Sequence, residues 1–554
     1  FTASSIFTST STEESMPNAY SVPPPTVHLS GGVEDLQADD ASYLVAGSYR
    51  EVSEVSYHPS SYRLVSGTGH VSGSLEDVAS SDDSYMVFSS YPTRLSAWLL
   101  TAYRSSTGDG LSYPKARWWN DAEGWLKEEQ LPSAGGEVRL VRVACHPFKD
   151  EKIVVVVTYR EELHAYVWDG STWLHFFIDD RLEAYYGRYR CFDVAYEQRS
   201  GRAVLVYAKY TTDVRQDFFY VVWDGKDWSK PVAVDDPTAT VPVRIRWMRL
   251  ASRPGSDELG LVYAYDYRQD FLWYSYVRAW IWDGREWGNL CRVSNAVPFY
   301  PSTELCGLAW ESRTGRLLVA ATHPKRFYLS IWMWTGSKWL DLGVYDPNPF
   351  VDYDVKWVVM RPDPRSDFIM LMCVDAGSDL STMLWTGFEW EKGVRHETSV
   401  NTFRQRCFDG DWEPQGGRFL LVWGRRGVRG LYFKVWEKEW GPAENFAPPG
   451  LYYLYWVRVE GAVLEGYKSK AMVEVSDYYS SLMALTWDGE GFPIYEKLSS
   501  SIYYYYFSFD LCFEPFEAPI EQAVSVEFQG TSDPVSYTHL RAHETEADLV
   551  CRLL

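Results

Sequence analysis

The chain has 554 residues, 46% hydrophobic and 17% aromatic, with 26 Trp, 40 Tyr and a formal net charge of -22. This is ample core for a large globular domain, and the aromatic bias is of the kind that strands favour. The acidic balance argues against a nucleic-acid partner, whose phosphates need a basic surface, and no run of eighteen apolar residues offers a membrane span.

In chain order, residues 1–26 are rich in Ser, Thr and Pro and read as a flexible linker. Residues 27–95 form a small β-rich annex, in which Glu34-Asp35-Leu36 to Ser42-Tyr43-Leu44 is repeated by Glu76-Asp77-Val78 to Ser84-Tyr85-Met86. The acid pairs Asp39-Asp40 and Asp82-Asp83 suggest calcium, but no EF-type ladder of ligands is present, so solvated turn caps are the better reading.

Residues 96–529 carry a hairpin motif that returns about every fifty residues. Trp168-Asp169-Gly170 to Trp173, Trp223-Asp224-Gly225 to Trp228 and Trp282-Asp283-Gly284 to Trp287 are its full copies. Trp334-Thr335-Gly336 to Trp339, Trp385-Thr386-Gly387 to Trp390, Trp436-Glu437 to Trp440 and Trp487-Asp488-Gly489 to Phe492 vary it, and Trp119-Asn120-Asp121 to Trp125 opens the series. Gly takes positive φ in a tight turn, and the flanking Trp residues cover neighbouring sheet faces. Three short strands precede each such turn strand, as in 139–145, 152–158 and 164–168, so each copy closes a four-stranded unit.

The units alternate. One kind begins like 243–250 and turns at Arg253-Pro254-Gly255; the other begins like Cys191-Phe192-Asp193 and turns at Gly201-Arg202. Strands near Trp98, Lys115 and Trp125 lack a first strand of the second kind, and 507–513 offers one without partners. The expectation is an all-β fold: a β-propeller of about eight four-stranded blades, its ring closed between N- and C-proximal segments, which removes the exposed sheet edge. An unclosed or longer array is the alternative, since 523–529 could begin another blade.

Residues 530–554 are excluded from the fold. Pro534 to Thr545 resembles the in-frame translation of a transposase adapter used in DNA library preparation, and Asp548 to Leu554 matches the adapter sequence downstream of a short index. The tail is expected to pack poorly, and a chain without Met at position 1 is expected to be a metagenomic fragment. Eight cysteines less Cys551 leave seven, with no Cys-x-x-Cys pair, and these read as buried free thiols.

The hairpin resembles the Asp-box of sialidase-type propellers and the tryptophan blades of propeller lectins, with Asp and Gly adjacent here and the leading Ser/Thr missing. The two-blade unit is similar to long repeat proteins of uncharacterised archaeal and bacterial surface chains, a likeness that implies no activity.

Chemistry is sparse: there is no Gly-x-Ser-x-Gly, no His-Glu-x-x-His and no Walker loop, and the recurrent Asp reads as a turn residue. No catalytic, metal or cofactor site is expected. In a propeller the second-to-third loops share one face with the blade connections, and this is where the sequence varies. Arg160, Arg215, Asp217, Tyr267, Arg268, Asp270, Trp273, Arg326, Arg425, Arg426 and Tyr478 are therefore the candidate ligand-binding residues. The resulting expectation is a non-catalytic, secreted or cell-surface propeller that binds glycan or protein. The alternatives are a propeller glycosidase or lyase acting at the central channel, which needs two carboxylates or clustered arginines there, and a structural surface-layer repeat protein.

Overall fold

The computed structural model describes residues 98–514 except 105–111, 212, 214–215, 237–243, 270–271, 299–302, 326, 351–352, 402–404, 463–467, 501 and 503–507. Outside that span it describes the backbone of seven strands, and side chains at 267–269, 272–273 and 296–298 are not described. The chain divides into two compact units, Ser96–Ala518 and a second formed by Phe1–Leu95 with Pro519–Leu554. In the second, Val27–His28, Ser61–Ser66 and Val52–His58 form one sheet in that order, and Tyr85–Ser90, Gln522–Gln529, Thr538–His543 and Val550–Leu553 form another. The acid pairs of the annex lie outside the described residues.

The larger unit is an eight-bladed β-propeller, with no helix among its described residues. The innermost strands of blades I to VIII are Val138–Cys145, Phe192–Tyr196, Arg244–Ser252, Cys306–Trp310, Val355–Pro362, Phe408–Trp412, Leu454–Gly461 and Phe509–Phe513. Each touches the innermost strand of the next blade, and the eighth touches the first. Closure is by sharing, as the sequence predicts: Phe509–Phe513 pairs antiparallel with Leu99–Arg104, Phe509 opposite Tyr103 and Phe513 opposite Leu99. Pro114–Asn120 and Gly124–Trp125 complete that blade.

The two kinds of blade differ in a physical detail. Blades I, III, V and VII carry a bulge where the first strand pairs with the second, whereas the same pairings in II, IV, VI and VIII run without one. A bulge adds one residue and sharpens the local twist.

The recurrent hairpin is an Asx turn. Asp169 Oδ1 accepts the amides of Ser171 and Thr172 at 2.8 Å each, and Asp224, Asp283 and Asp488 do the same in their blades. Thr335 and Thr386 substitute a hydroxyl. The next-residue glycine has φ of 93° at Gly170 and 92° at Gly284, a left-handed conformation that a Cβ would strain.

The Trp before each of four turns is held by a buried acid from the preceding blade, Trp223 Nε1 donating to Glu151 at 3.0 Å in blade II. Trp282 Nε1 donates to Glu197 at 2.6 Å, Trp385 Nε1 to Glu311 at 2.6 Å, and Trp487 Nε1 to Glu413 at 3.0 Å. These last three acids also receive Arg202, Arg316 and Arg418, whose Nη2 groups donate to the turn carbonyls of Gly284, Gly387 and Gly489. This Glu–Arg–Trp staple fastens blade II to III, IV to V and VI to VII, and it is what makes the repeat a pair of blades.

Five cysteines, Cys191, Cys291, Cys306, Cys373 and Cys407, are buried free thiols. The expectation fails for the other two of the ring. Cys145 on the first blade's inner strand is disulfide-bonded to Cys512 on the closing strand, with Cα atoms 6.1 Å apart. Ring closure brings together two residues separated by 367 positions.

Candidate functional site

The second-to-third loops and the blade connections form one hydrogen-bonded rim. Leu182 N donates to Glu161 O, Tyr210 N to Arg181 O, Val400 N to Ser378 O, Arg426 N to Ser399 O, Tyr478 N to Tyr453 O and Ile502 N to Ser480 O. The opposite face is built by the first-to-second and third-to-fourth turns, and the Glu–Arg–Trp staples lie there at three of the eight blade junctions.

The candidate residues are distributed around the rim rather than gathered at one point. Arg160 is exposed on the blade I loop; Arg425 and Arg426 lie on the blade VI loop, with Arg425 Nε donating to Ser399 Oγ at 3.2 Å. Tyr478, on the blade VII loop, lies exposed against Tyr479 and Tyr455. Asp217 is buried, accepting the Tyr263 hydroxyl and Arg278 Nη1, the latter at 2.8 Å, and burial pushes its carboxyl up. Tyr267 and Arg268 end one strand of blade III and Trp273 begins the next, with Arg268 opposite Trp273 in register. Arg215, Asp270 and Arg326 lie outside the described residues.

Sequence reasoning passed over the rim's most developed feature, next to Arg160. Tyr159, Tyr185 and Tyr186 are 45%, 43% and 51% exposed. Tyr159 and Tyr186 stack with centroids 5.3 Å apart and Tyr185 stacks on Tyr189 at 5.5 Å, while Arg139 lies over the Tyr159 ring at 5.0 Å. The loop that presents them runs left-handed through three residues, with φ of 45° at Tyr185, 57° at Tyr186 and 81° at Gly187. Only glycine fits the third place, because a Cβ there would lie 2.3 Å from Arg139 Cβ. Two bulky residues in this region cost about 1–3 kcal/mol each, and the surrounding bonds hold them: Tyr186 N to Glu161 Oε1 at 3.1 Å, and Tyr189 N to Ala184 O at 3.0 Å. The run Tyr185-Tyr186-Gly187, exposed within a connection whose Leu182 and Ala184 are buried, was the available signal.

The innermost strands are joined by a buried ion network. Arg142 donates to Asp193 and Asp510, each at 2.6 Å; Arg458 donates to Asp510 at 2.9 Å; Arg361 donates to Asp409 at 2.9 Å. Burial works against the Asp409 carboxylate, but Arg361, Arg406 and Arg458 hold it far below its usual range. Asp411 and Glu460 are the partly exposed acids of this network, both pushed up by burial.

Glu474 of blade VII, opposite Arg458 in register, is fully buried, and burial pushes its carboxyl up to about 8, with the Thr101 hydroxyl offsetting part of that rise. The folded protein therefore takes up a proton that the unfolded chain, with an ordinary carboxyl, has lost. Stability is full below the ordinary glutamate range, falls as pH rises towards 8, and stays low above it. Glu474→Gln should be more stable than the parent at pH 9 by several kcal/mol and little different at pH 4, read from urea midpoints at the two pH values.

The fold and rim define a closed eight-bladed propeller with exposed tyrosines on its loop rim and a buried ion network between its innermost strands. No family model matches the sequence, and no curated protein matches it. Among solved structures the chain is similar to the BP39L lectin from Burkholderia pseudomallei, at 11% identity and a TM-score of 0.45, over 66% of this chain and 99% of that one. It is also similar to the six-bladed fucose-recognising lectin of Aleuria aurantia, at 12% identity and a TM-score of 0.32, over 56% and 97% of the two chains. A third likeness is to the NanB sialidase of Streptococcus pneumoniae, at 10% identity and a TM-score of 0.33, over 74% and 93%.

Proposed function

We propose that this chain is a non-catalytic, secreted or cell-surface propeller that binds a glycan through its loop rim. The observation that carries the reading is the strained, exposed tyrosine group of Tyr159, Tyr185 and Tyr186. The C–H face of a pyranose is apolar and weakly positive, and it seats on the negative face of an aromatic ring. Arg160 and Glu161 beside the rings supply the directional bonds to hydroxyls that would fix its orientation. The Cys145–Cys512 disulfide supports an oxidising compartment, where such bonds persist.

Glycan-array screening with subsequent titration calorimetry tests this. Tyr159→Ala with Tyr186→Ala should weaken the best glycan at least about tenfold, or ~1.4 kcal/mol, without moving the thermal midpoint downward. Unchanged glycan affinity in the double variant would remove the rim as the site, and a protein partner lost in the same variant would keep the site and change its ligand class.

A further inference from the structure

Against a formal net charge of -22, one rim loop is basic: Arg425, Arg426 and Arg429 stand exposed between the second and third strands of blade VI. The loop is pinned on both flanks. Arg426 N donates to Ser399 O at 2.8 Å and Gly430 N to Tyr452 O at 3.2 Å, while Val428 N closes the turn on Arg425 O at 3.2 Å. Gly430, with φ of 84°, lies so close to Phe446 that a Cβ would stand 2.5 Å from its carbonyl oxygen.

From this anchored loop the side chains reach along the rim in both directions. Arg426 Nη2 donates to Ser378 Oγ of the blade V loop at 3.4 Å. Arg429 lies over the Tyr452 ring at 4.7 Å, and Tyr452 packs edge-on against Tyr479 of the blade VII loop, with centroids 4.5 Å apart. Tyr479 is 59% exposed. Glu397 answers Arg425, at 3.6 Å, but among the described residues no carboxylate pairs with Arg426 or Arg429. Two guanidinium forks are thus open to anions from outside, and their planar donors match carboxylate and sulfate oxygens. The exposed Tyr479 ring beside them offers the apolar C–H face of a pyranose a place to seat. The acidic balance of the whole chain repels a long polyanion, which restricts the ligand to a short one.

We propose that the strip from Ser378 through Arg426 and Arg429 to Tyr479 binds a short acidic oligosaccharide, with its carboxylate or sulfate groups on the two guanidinium groups and a sugar face on Tyr479. The inference rests on the glycan-binding reading of the rim, but on residues of blades V to VII rather than on the tyrosine group beside Arg160.

The test is calorimetric titration of the full chain with trigalacturonate, its methyl ester and a sulfated galactan trisaccharide, at low and high salt. At least one acidic probe should bind saturably, and more weakly at high salt, because exposed charges are screened; the tighter of the two identifies the anion. The methyl ester keeps the sugar without the charge and should bind at least about tenfold more weakly than trigalacturonate if carboxylate is that anion. Arg426→Gln with Arg429→Gln should weaken the acidic probe at least about tenfold, and since both side chains are exposed the thermal midpoint should hold. Tyr479→Ala should weaken it while keeping the salt dependence, which distinguishes a seated sugar from bare charge attraction. Tyr159→Ala with Tyr186→Ala should leave the acidic probe bound as in the parent. No saturable binding of either acidic probe, an undiminished response in the double arginine variant or in Tyr479→Ala, or tighter binding of a glutamate-rich peptide of equal charge would overturn the proposal. If it falls in this way while an array glycan is still held through Tyr159 and Tyr186, the proposed function stands without it.

Discussion

Glu311→Ala should lower the stability of the propeller by about 3–5 kcal/mol, the usual cost of removing one partner from a buried ion pair. Glu311 is fully buried and accepts Trp385 Nε1, both Nε and Nη2 of Arg316, and the Thr314 hydroxyl. Without it, the Trp385 indole N–H is left buried with no acceptor, and Arg316 loses the group that aims it at the Gly387 carbonyl. The hairpin of blade V then loses its tie to blade IV. Glu311→Gln keeps an acceptor for Trp385 but not the charge for Arg316, so it should fall between the two. Urea unfolding monitored by tryptophan fluorescence separates them, and parent-like midpoints in both variants would show that the staple is decoration rather than a fastening.

Cys145→Ser with Cys512→Ser should cost about 2–5 kcal/mol, as should reduction of the parent. The bond closes a very long loop, 367 residues, and in the chain-entropy picture long loops are the ones in which the unfolded state is most restricted. It is not the only tie. Asp510 bonds Arg142 and the Val143 amide, and Glu514 bonds Lys152 and the Trp98 amide, at 3.1 Å in the last case. The double variant should therefore still close its ring and keep any rim ligand, with a lower urea midpoint. Loss of the folded state altogether would mean that the strand pairing cannot close the ring unaided.

The parts of the fold legible in the sequence are those carried by local chemistry. Asp-Gly and Thr-Gly between tryptophans force a turn wherever they occur, and Arg253-Pro254-Gly255 against Gly201-Arg202 separates the two kinds of blade. The orphan first strand at 507–513 could be matched to Trp98 because every other blade of its kind has one. What escaped depends on which strands meet across the ring. Cys145 and Cys512 look like unrelated apolar positions until the first and last blades are placed side by side. The axial ring shows in the sequence only as single charges inside apolar strands, such as Val141-Arg142-Val143 and Leu511 after Asp510, and a strand taken alone cannot say that an opposite charge waits on its neighbour. Among the rim candidates, Asp217 reads as a loop acid but sits at the start of a strand, where Arg278 and Tyr263 claim it. The tyrosine group at 185–186 is set by backbone conformation, which a residue list conceals.

Non-reducing peptide mapping of protein prepared under oxidising conditions tests the closed ring most directly. The ring predicts one cross-linked species, the Cys145 peptide joined to the Cys512 peptide, with Cys191, Cys291, Cys306, Cys373 and Cys407 recovered as thiols once the folded protein is opened with denaturant. Recovery of Cys512 as a free thiol, or bonded to any cysteine other than Cys145, would contradict it.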